Sequence, residues 1–458
     1  MQNDMTKGSP LRLIVFFTIP VLLGNIFQNV YNLMDSIIVG RFLGVNALAA
    51  VGATGTLTFL VFGWVTGMTG GFGILLAQSF GAGDEKRLRH YTVMSLYLCV
   101  AMAVLMTAGL LLANRGILKL MNTPDTILDD TAGYIGIIYA GLPVTIAYNM
   151  LSSVSRSLGD SRTPLIFLII SSVLNIILDI VFVSRFQMGV AGVAYATVIA
   201  QAVSAILCFW KLLRMTDIFD FKFRHLKMKK KYTLEIIRLG LPSGITQAIF
   251  SMAMVIVQSL TNSFGEMVIA ANVIIMRVDG FAMMPNFSFG TAMTTYAGQN
   301  VGAHRMDRVE QGARQGTAIA LGTSAVITLL ILVFGKNLMA IFTDTSELVT
   351  LSANMMKILA VGYLAMAITQ SLSGVMRGAG DTITPMWISM ITTVVIRVPL
   401  AYGLAFLTRT PELPNGRYQV LWISLLVCWC MGALLTFLFY KKGNWKKKAL
   451  TADVNSDQ

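Results

Sequence analysis

Ionisable side chains inside strongly apolar stretches are the residues of this sequence that could do chemistry. Asp35 ends the run NIFQNVYNLMD, and on a helix it shares one face with Gln28 and Asn32. A carboxylate near the middle of a membrane costs at least ~2.5 kcal/mol on insertion scales, so such groups usually face a polar interior that carries an ion or a substrate. A polar network that only holds helices together is the alternative, but it needs no ionisable group. Asp35 therefore favours a functional site.

A second carboxyl group lies in the apolar run NIILDIVFV. Asn175 and Asp179 are four residues apart there, so they share one helix face. If Asp35 and Asp179 share a cavity, they can exchange protons or coordinate a small hard cation through oxygen ligands. The alternative is that each carboxyl group is satisfied separately by its own neighbours.

Several chemical signatures are absent from the sequence. It contains no Gly-x-x-x-x-Gly-Lys-Ser/Thr phosphate loop and no Gly-x-Ser-x-Gly elbow. Its histidines and cysteines have no metal-enzyme spacing, and the four cysteines all fall in apolar runs. The sequence therefore predicts neither an enzyme nor an ATP-driven pump, and it predicts no cofactor.

Composition identifies the class of protein that must position these carboxyl groups. Of 458 residues, 55% are hydrophobic and only 12% are charged, and the mean hydropathy is +0.70. These values predict an all-α integral membrane protein. We expect twelve transmembrane helices, near residues 12–40, 47–80, 92–113, 130–155, 163–185, 190–213, 235–262, 270–299, 311–335, 349–376, 384–408 and 419–440.

The formal charge of +13 is distributed unevenly between the loops. With the N-terminus placed inside, 25 of the 35 lysines and arginines fall in inner segments and seven in outer ones. This bias follows the positive-inside rule and predicts that both termini are cytoplasmic. The membrane orientation accounts for the net positive charge, so nucleic-acid binding is not expected. Attraction to anionic lipid accounts for the basic stretch that joins the two halves.

The chain is a tandem repeat. The motif Gln-x-x-Gly-Ala occurs at 78–82 and at 299–303, and Gly-Asp-x-x-x-Pro occurs at 159–164 and at 380–385, so both motifs recur at an offset of 221 residues. Six spans per half give both halves the same orientation, as in the parallel repeats of some secondary transporters. The predicted organisation is a six-helix lobe at 1–214, a basic linker at 215–234, a second six-helix lobe at 235–440 and a tail at 441–458.

The second half lacks the asparagine and aspartate pair that the first half carries at 175 and 179. Ile396 and Leu400 stand at the positions that match Asn175 and Asp179. The second half carries its own acid, Asp279. Arg397 is a candidate partner for Asp279, and a structural ion pair is favoured over direct ion coupling.

Methionine and phenylalanine surround Asp279 in the sequence. Met276, Met283 and Phe287 supply flexible thioethers and an aromatic face, which suit a pocket for apolar cations of varied shape. Packing in the core or against lipid is the simpler explanation for any one of them. Pro20 interrupts the first span before Asp35, and a bend there would move the surroundings of the carboxyl group.

These motifs together resemble the multidrug and toxic compound extrusion (MATE) family over nearly the whole chain. The resemblance implies twelve helices in two pseudo-symmetric six-helix lobes around a central cleft that alternates its opening. It implies export of drugs and other organic, often cationic, compounds, driven by inward H⁺ or Na⁺. The residues implied for cation coupling are Asp35, Asn175, Asp179 and Thr197, and the candidates for substrate contact or gating are Pro20, Gln28, Tyr31, Asn32, Asp279, Met276, Met283 and Phe287.

Span seven departs from part of the family. Some members carry a glutamate there, whereas this sequence reads Gln-Ala-Ile-Phe-Ser at 247–251. Asp279 is then the only candidate for coupling in the second lobe. We expect a monomer in a prokaryotic plasma membrane, with small organic molecules and membrane lipid as its partners. The alternative function is a flippase or exporter for a lipid-linked or amphiphilic metabolite.

Overall fold

Long apolar helices dominate the computed structural model, which describes residues 4–121, 123–215 and 228–448. Residues 216–227 of the expected linker and 449–458 of the expected tail lie outside the described residues. The helices are α1 Pro10–Phe42, α2 Val45–Ala53, α3 Gly55–Gly81, α4 Glu85–Leu120, α5 Asp125–Ala140, α6 Leu142–Ser157, α7 Arg162–Ser184, α8 Gly189–Leu213, α9 Lys230–Asn262, α10 Glu266–Gly302, α11 Met306–Ala340, α12 Ser346–Ala360, α13 Gly362–Gly378, α14 Ile383–Ser389, α15 Arg397–Leu407 and α16 Val420–Lys442.

Twelve membrane spans follow from these helices. In the described part of the chain, ten helical segments are long and apolar enough to span a bilayer alone. Two bent pairs bring the number to twelve when each is counted as one span: α5 and α6 meet at 45°, and α12 and α13 meet at 43°. The all-α, twelve-span fold class is thereby confirmed.

The repeated Gly-Asp-x-x-x-Pro motif forms the same turn in both halves. The glycine has a positive φ, 79° in the first copy and 96° in the second, a conformation that glycine adopts without a steric penalty. The aspartate then caps the next helix. Asp160 accepts from the backbone N–H of Thr163 at 3.0 Å, and Asp381 accepts from that of Thr384 at 3.1 Å. The motif recurs because each half needs the same tight turn between two spans.

The residues divide into two compact units. Unit 1 contains Met1–Asp4 and Pro20–Gly244, and unit 2 contains Met5–Ile19 and Ile245–Gln458. Helices α1 and α9 therefore each belong to one unit at their beginning and to the other unit afterwards. The division falls at Pro20 in α1 and beside Pro242 in α9. These two points are separated by nearly the same number of residues as the two copies of each sequence motif. The lobe boundaries expected at 214 and 235 stay a prediction.

Glycine and serine set the helix crossings inside unit 1. A Cβ atom added at Gly71 on α3 would lie 2.6 Å from Cα of Gly240 on α9, so the two backbones touch. On another side of α3, the Ser157 hydroxyl of α6 donates to the Gly73 carbonyl oxygen at 2.8 Å. Small residues at such crossings let helices approach closely in a membrane. These contacts hold α3, α6 and the first part of α9 together.

The repeated Gln-x-x-Gly-Ala motif has a structural role in unit 2. At the end of α10, Gln299 Oε1 accepts from the Met5 backbone N–H at 2.8 Å. The Met5 carbonyl oxygen accepts from Asn300 Nδ2 at 3.1 Å and from Arg308 Nη2 at 3.3 Å. Met5 is 1% exposed. Side chains of α10 and α11 thus anchor the segment that leads into α1.

Candidate functional site

Four residues expected to couple a cation come together inside unit 1. Asp35 lies on α1, Asn175 and Asp179 on α7, and Thr197 on α8. The Asp35 carboxyl group interacts with the side chains of both Asp179 and Thr197. Asn175 Nδ2 lies 3.5 Å from Thr197 Oγ1. Residues from three helices therefore form one polar cluster, and the two carboxyl groups are neighbours.

The cluster is buried and poor in hydrogen-bond donors. Asp179 is 0% exposed, Asn175 1% and Asp35 7%. Within the described part of the chain, no donor contacts Asp35 Oδ1, Asn175 Oδ1 or either carboxyl oxygen of Asp179. Buried polar atoms are normally paired, so an orphaned set calls for an explanation such as an ion. Four unpartnered oxygens suit a hard cation, and two adjacent carboxyl groups can instead share a proton.

Two tyrosines complete the surroundings of the carboxyl groups. Tyr31 lies one turn before Asp35 on α1, is buried, and interacts with Thr197. Tyr134 of α5 lies close enough to interact with both Asp35 and Asp179. Sequence reasoning singled out Tyr31 but missed Tyr134. No spacing rule links Tyr134 to the cluster, because it reaches the site from a helix that is distant in sequence.

An apolar layer covers one side of this polar cluster. Val39, Val183 and Val193 each lie four residues from a cluster residue on the same helix, so they sit about 6 Å away along the axis. They belong to a buried cluster with Ile38, Ala47 and Val190. Apolar side chains exclude water and strengthen charge interactions behind them. An apolar layer thus lies between the oxygens and the end of unit 1 at which α1 and α7 terminate.

The other α1 residues do not join the cluster. Asn32 is exposed and Gln28 is half-buried, and neither side chain forms a hydrogen bond with Asp35 or Asp179 within the described structure. Pro20 is buried and lies fifteen residues before Asp35, about 22 Å along a helix. The buried face of α1 runs through Tyr31 and Asp35 rather than through Asn32.

The Asp279 group of unit 2 differs from the expected ion pair. The Tyr363 hydroxyl donates to Asp279 Oδ1 at 2.8 Å. Arg397 lies within electrostatic range of Asp279, but no ion pair joins them in the described structure. Met283 is buried in the core of unit 2. Met276 and Phe287 are exposed, 40% and 44% respectively, and their part in substrate contact stays a prediction.

Comparison with known proteins agrees with this architecture. The MatE family model matches residues 20–181 and 242–403. The chain is 30% identical to "Probable multidrug resistance protein YoeA" of Bacillus subtilis over 453 residues, covering 97% of this chain and 96% of that protein. It is 28% identical to "Probable multidrug resistance protein YpnP" of the same organism over 448 residues, covering 98% of each.

Solved structures share the fold. "Crystal structure of MATE in the bent conformation" superposes with a TM-score of 0.89 at 24% identity, covering 97% of this chain and 98% of that chain. The chain belongs to the MatE family of multidrug and toxic compound extrusion transporters. The two matched segments are also the two copies of the internal repeat.

Proposed function

We propose that this protein is a cation-coupled antiporter that exports drugs and other organic, often cationic, compounds by alternating access. The names of its relatives support multidrug export. The observation that carries the coupling part is the buried cluster of unit 1, with four acceptor oxygens and no donor among the described residues to satisfy them. H⁺ or Na⁺ entering this cluster removes the charge repulsion between Asp35 and Asp179.

Each residue has a defined role in this proposal. Asp35 and Asp179 supply the negative charge, while Asn175 and Thr197 add neutral oxygen ligands for Na⁺. The apolar layer keeps the ion from leaving toward one side while the site is loaded. A bound ion shifts the conformational equilibrium only through its different affinity for the two states, and a sealed, charged cluster provides such a difference.

The cellular location and the orientation in the membrane are a separate part of the proposal. We propose a multi-pass protein of a prokaryotic plasma membrane, with both termini cytoplasmic, as the charge bias indicates. Labelling single cysteines placed near residues 4 and 446 with a membrane-impermeant reagent in intact cells tests the orientation. Reaction at either position would contradict it.

Everted membrane vesicles test the function. We expect uptake of a cationic dye under an imposed H⁺ or Na⁺ gradient, and the effective gradient identifies the ion. Asp35→Asn and Asp179→Asn should each abolish gradient-driven uptake while protein still reaches the membrane. Transport of a lipid-linked compound without gradient-driven dye uptake would instead support a flippase.

A further inference from the structure

A short segment after the last span folds back onto unit 2. Helix α16 ends at Lys442, and Gly443 follows with a φ of 75°, in the left-handed conformation that commonly ends helices. The next residues, Asn444–Lys448, form a 3₁₀-helical stretch. We call residues 443–448 the C-terminal strap. The turn at Gly443 directs the strap away from the axis of α16.

Trp445 anchors the strap to the end of α16. Its side chain is buried. The indole Nε1–H donates to the Tyr440 carbonyl oxygen at 2.9 Å, and the indole ring stacks on the Tyr440 ring with centroids 5.2 Å apart. A buried indole whose N–H is paired combines apolar contact with a fixed orientation. The strap therefore has a defined position on unit 2.

Two lysines of the strap pair with acidic side chains elsewhere in unit 2. Lys446 Nζ forms an ion pair with Glu310 in the first turns of α11. Lys448 Nζ lies 2.9 Å from Asp381 Oδ1, and the same oxygen accepts from the backbone N–H of Thr384 in α14. The strap thereby connects the end of α16 to the start of α11 and to the turn between α13 and α14.

The two ion pairs differ in strength, and neither lysine is enclosed. The side chains of Lys446 and Glu310 are 44% and 54% exposed, and exposed ion pairs contribute little stability and are screened by salt. The Lys448 side chain is also exposed, but its partner Asp381 is only 3% exposed, so this pair is screened less. Another anion at the surface can reach both lysines and compete with the two carboxylates.

The stretch 441–448 has the composition of a segment that binds anionic lipid. Five of its eight residues are lysine, and it begins at the end of a membrane span. Clusters of four to eight basic residues directly beside a span attract anionic headgroups, and each lysine adds to the attraction. Lys441, Lys442 and Lys447 are exposed and form no ion pair within the described structure. They can hold lipid phosphates beside the two paired lysines.

We propose that the C-terminal strap binds anionic phospholipid headgroups, and that the lipid opens the strap by pairing with Lys446 and Lys448 in place of Glu310 and Asp381. In the closed form, the two lysines lie on protein carboxylates. In the open form, they lie on lipid phosphates, and the turn between α13 and α14 is released from the end of α16. Opening requires only an anionic membrane, so it is independent of what the protein exports.

Carbodiimide cross-linking of the purified full-length protein measures the closed form. The reagent joins a carboxylate to an amine only where the two are in contact, so it should link both ion pairs, and mass spectrometry quantifies the linked peptides. We expect both cross-links in nanodiscs of phosphatidylcholine. In nanodiscs of equal parts phosphatidylcholine and phosphatidylglycerol, their yield should fall at least about fivefold, the effect of the attraction of about one lysine to an anionic surface.

A variant with Lys441→Gln, Lys442→Gln and Lys447→Gln separates lipid binding from the ion pairs. It removes exposed charges and leaves both pairs in place, so its yield in phosphatidylcholine should equal that of the wild type. Because it has lost three of the five lysines, phosphatidylglycerol should lower its yield by less than about twofold. Inorganic phosphate added to phosphatidylcholine nanodiscs at constant ionic strength should leave the wild-type yield unchanged.

Four results would overturn the proposal. The first is the absence of both cross-links in phosphatidylcholine, because the strap would then not be closed there. The second is an equal wild-type yield in the two kinds of nanodisc. The third is an equal loss of yield in the triple variant and the wild type. The fourth is a loss caused by inorganic phosphate as large as that caused by phosphatidylglycerol, because the ligand would then be a free anion.

Discussion

Replacing Asp179 by asparagine should remove ion coupling without lowering stability. In the ion-free site, the carboxyl groups of Asp35 and Asp179 face each other, and no donor among the described residues satisfies three of their four oxygens. Two unit charges about 4 Å apart repel by about 4 kcal/mol at an effective dielectric constant of about 20. A bound cation or proton offsets this repulsion, and so does the neutral amide that the Asp179→Asn substitution introduces.

Thermal unfolding in detergent, with and without Na⁺ at fixed pH, measures this effect. If Na⁺ is the ion, it should stabilise the wild type by about 2.7 kcal/mol at about 100 times its dissociation constant. Asp179→Asn should melt no lower than ion-free wild type and should lose the response to Na⁺. Removing one partner of an ordinary buried ion pair would instead cost about 3–5 kcal/mol.

Asp279→Asn is the matched control for this prediction. It makes the same substitution in unit 2, where the carboxyl group accepts a hydrogen bond from Tyr363 instead of facing a second carboxyl group. We expect it to lower the melting temperature and to keep the wild-type ion response. Gradient-driven export by Asp179→Asn at the wild-type rate would refute the reasoning. A lowered melting temperature of Asp179→Asn with an intact Na⁺ response would refute it too.

Three further outcomes follow from the structure. Asn175→Ala should weaken coupling less than Asp179→Asn in the vesicle assay, because it removes a neutral ligand only, and full loss would contradict this. Gly71→Ala should lower the melting temperature and the yield, since its Cβ would lie 2.6 Å from Gly240 Cα; wild-type stability would show that α3 and α9 can separate. Gln299→Leu should destabilise the protein by about 1–3 kcal/mol by leaving the Met5 N–H unpaired, whereas Gln299→Glu keeps the acceptor and should cost less in the same melting assay.

The spans were predictable because their signal is local. An apolar run longer than about 18 residues must form a helix in a membrane, since every backbone group needs an internal partner. Pro143 at the start of α6 is a local signal for the bend between α5 and α6. The bend between α12 and α13 was not predictable in this way. Neither was the π-helical segment Met390–Ile396 before Arg397. These features depend on packing against other helices, and the sequence of one span does not encode that packing.

The candidate site was predictable in part. The pair Asn175 and Asp179 follows from a spacing of four residues, which places both on one helix face. Spacing on α1 was less decisive, because Gln28, Tyr31 and Asn32 all lie within about 60° of Asp35 around the axis. Only the fold shows that Tyr31 points the same way as Asp35 while Asn32 is exposed.

The two repeats share the same backbone turns and differ in their charged side chains. The glycine and aspartate turns recur because a tight connection between spans requires a positive φ and a capped helix in both halves. No such requirement fixes the side chains that line a pocket. Unit 1 therefore holds the neighbouring carboxyl groups of Asp35 and Asp179, whereas unit 2 holds Asp279 and Arg397, which form no ion pair in the described structure. Substitutions in unit 1 should accordingly change the response to the ion gradient for every substrate. Arg397→Gln in unit 2 should leave that response intact.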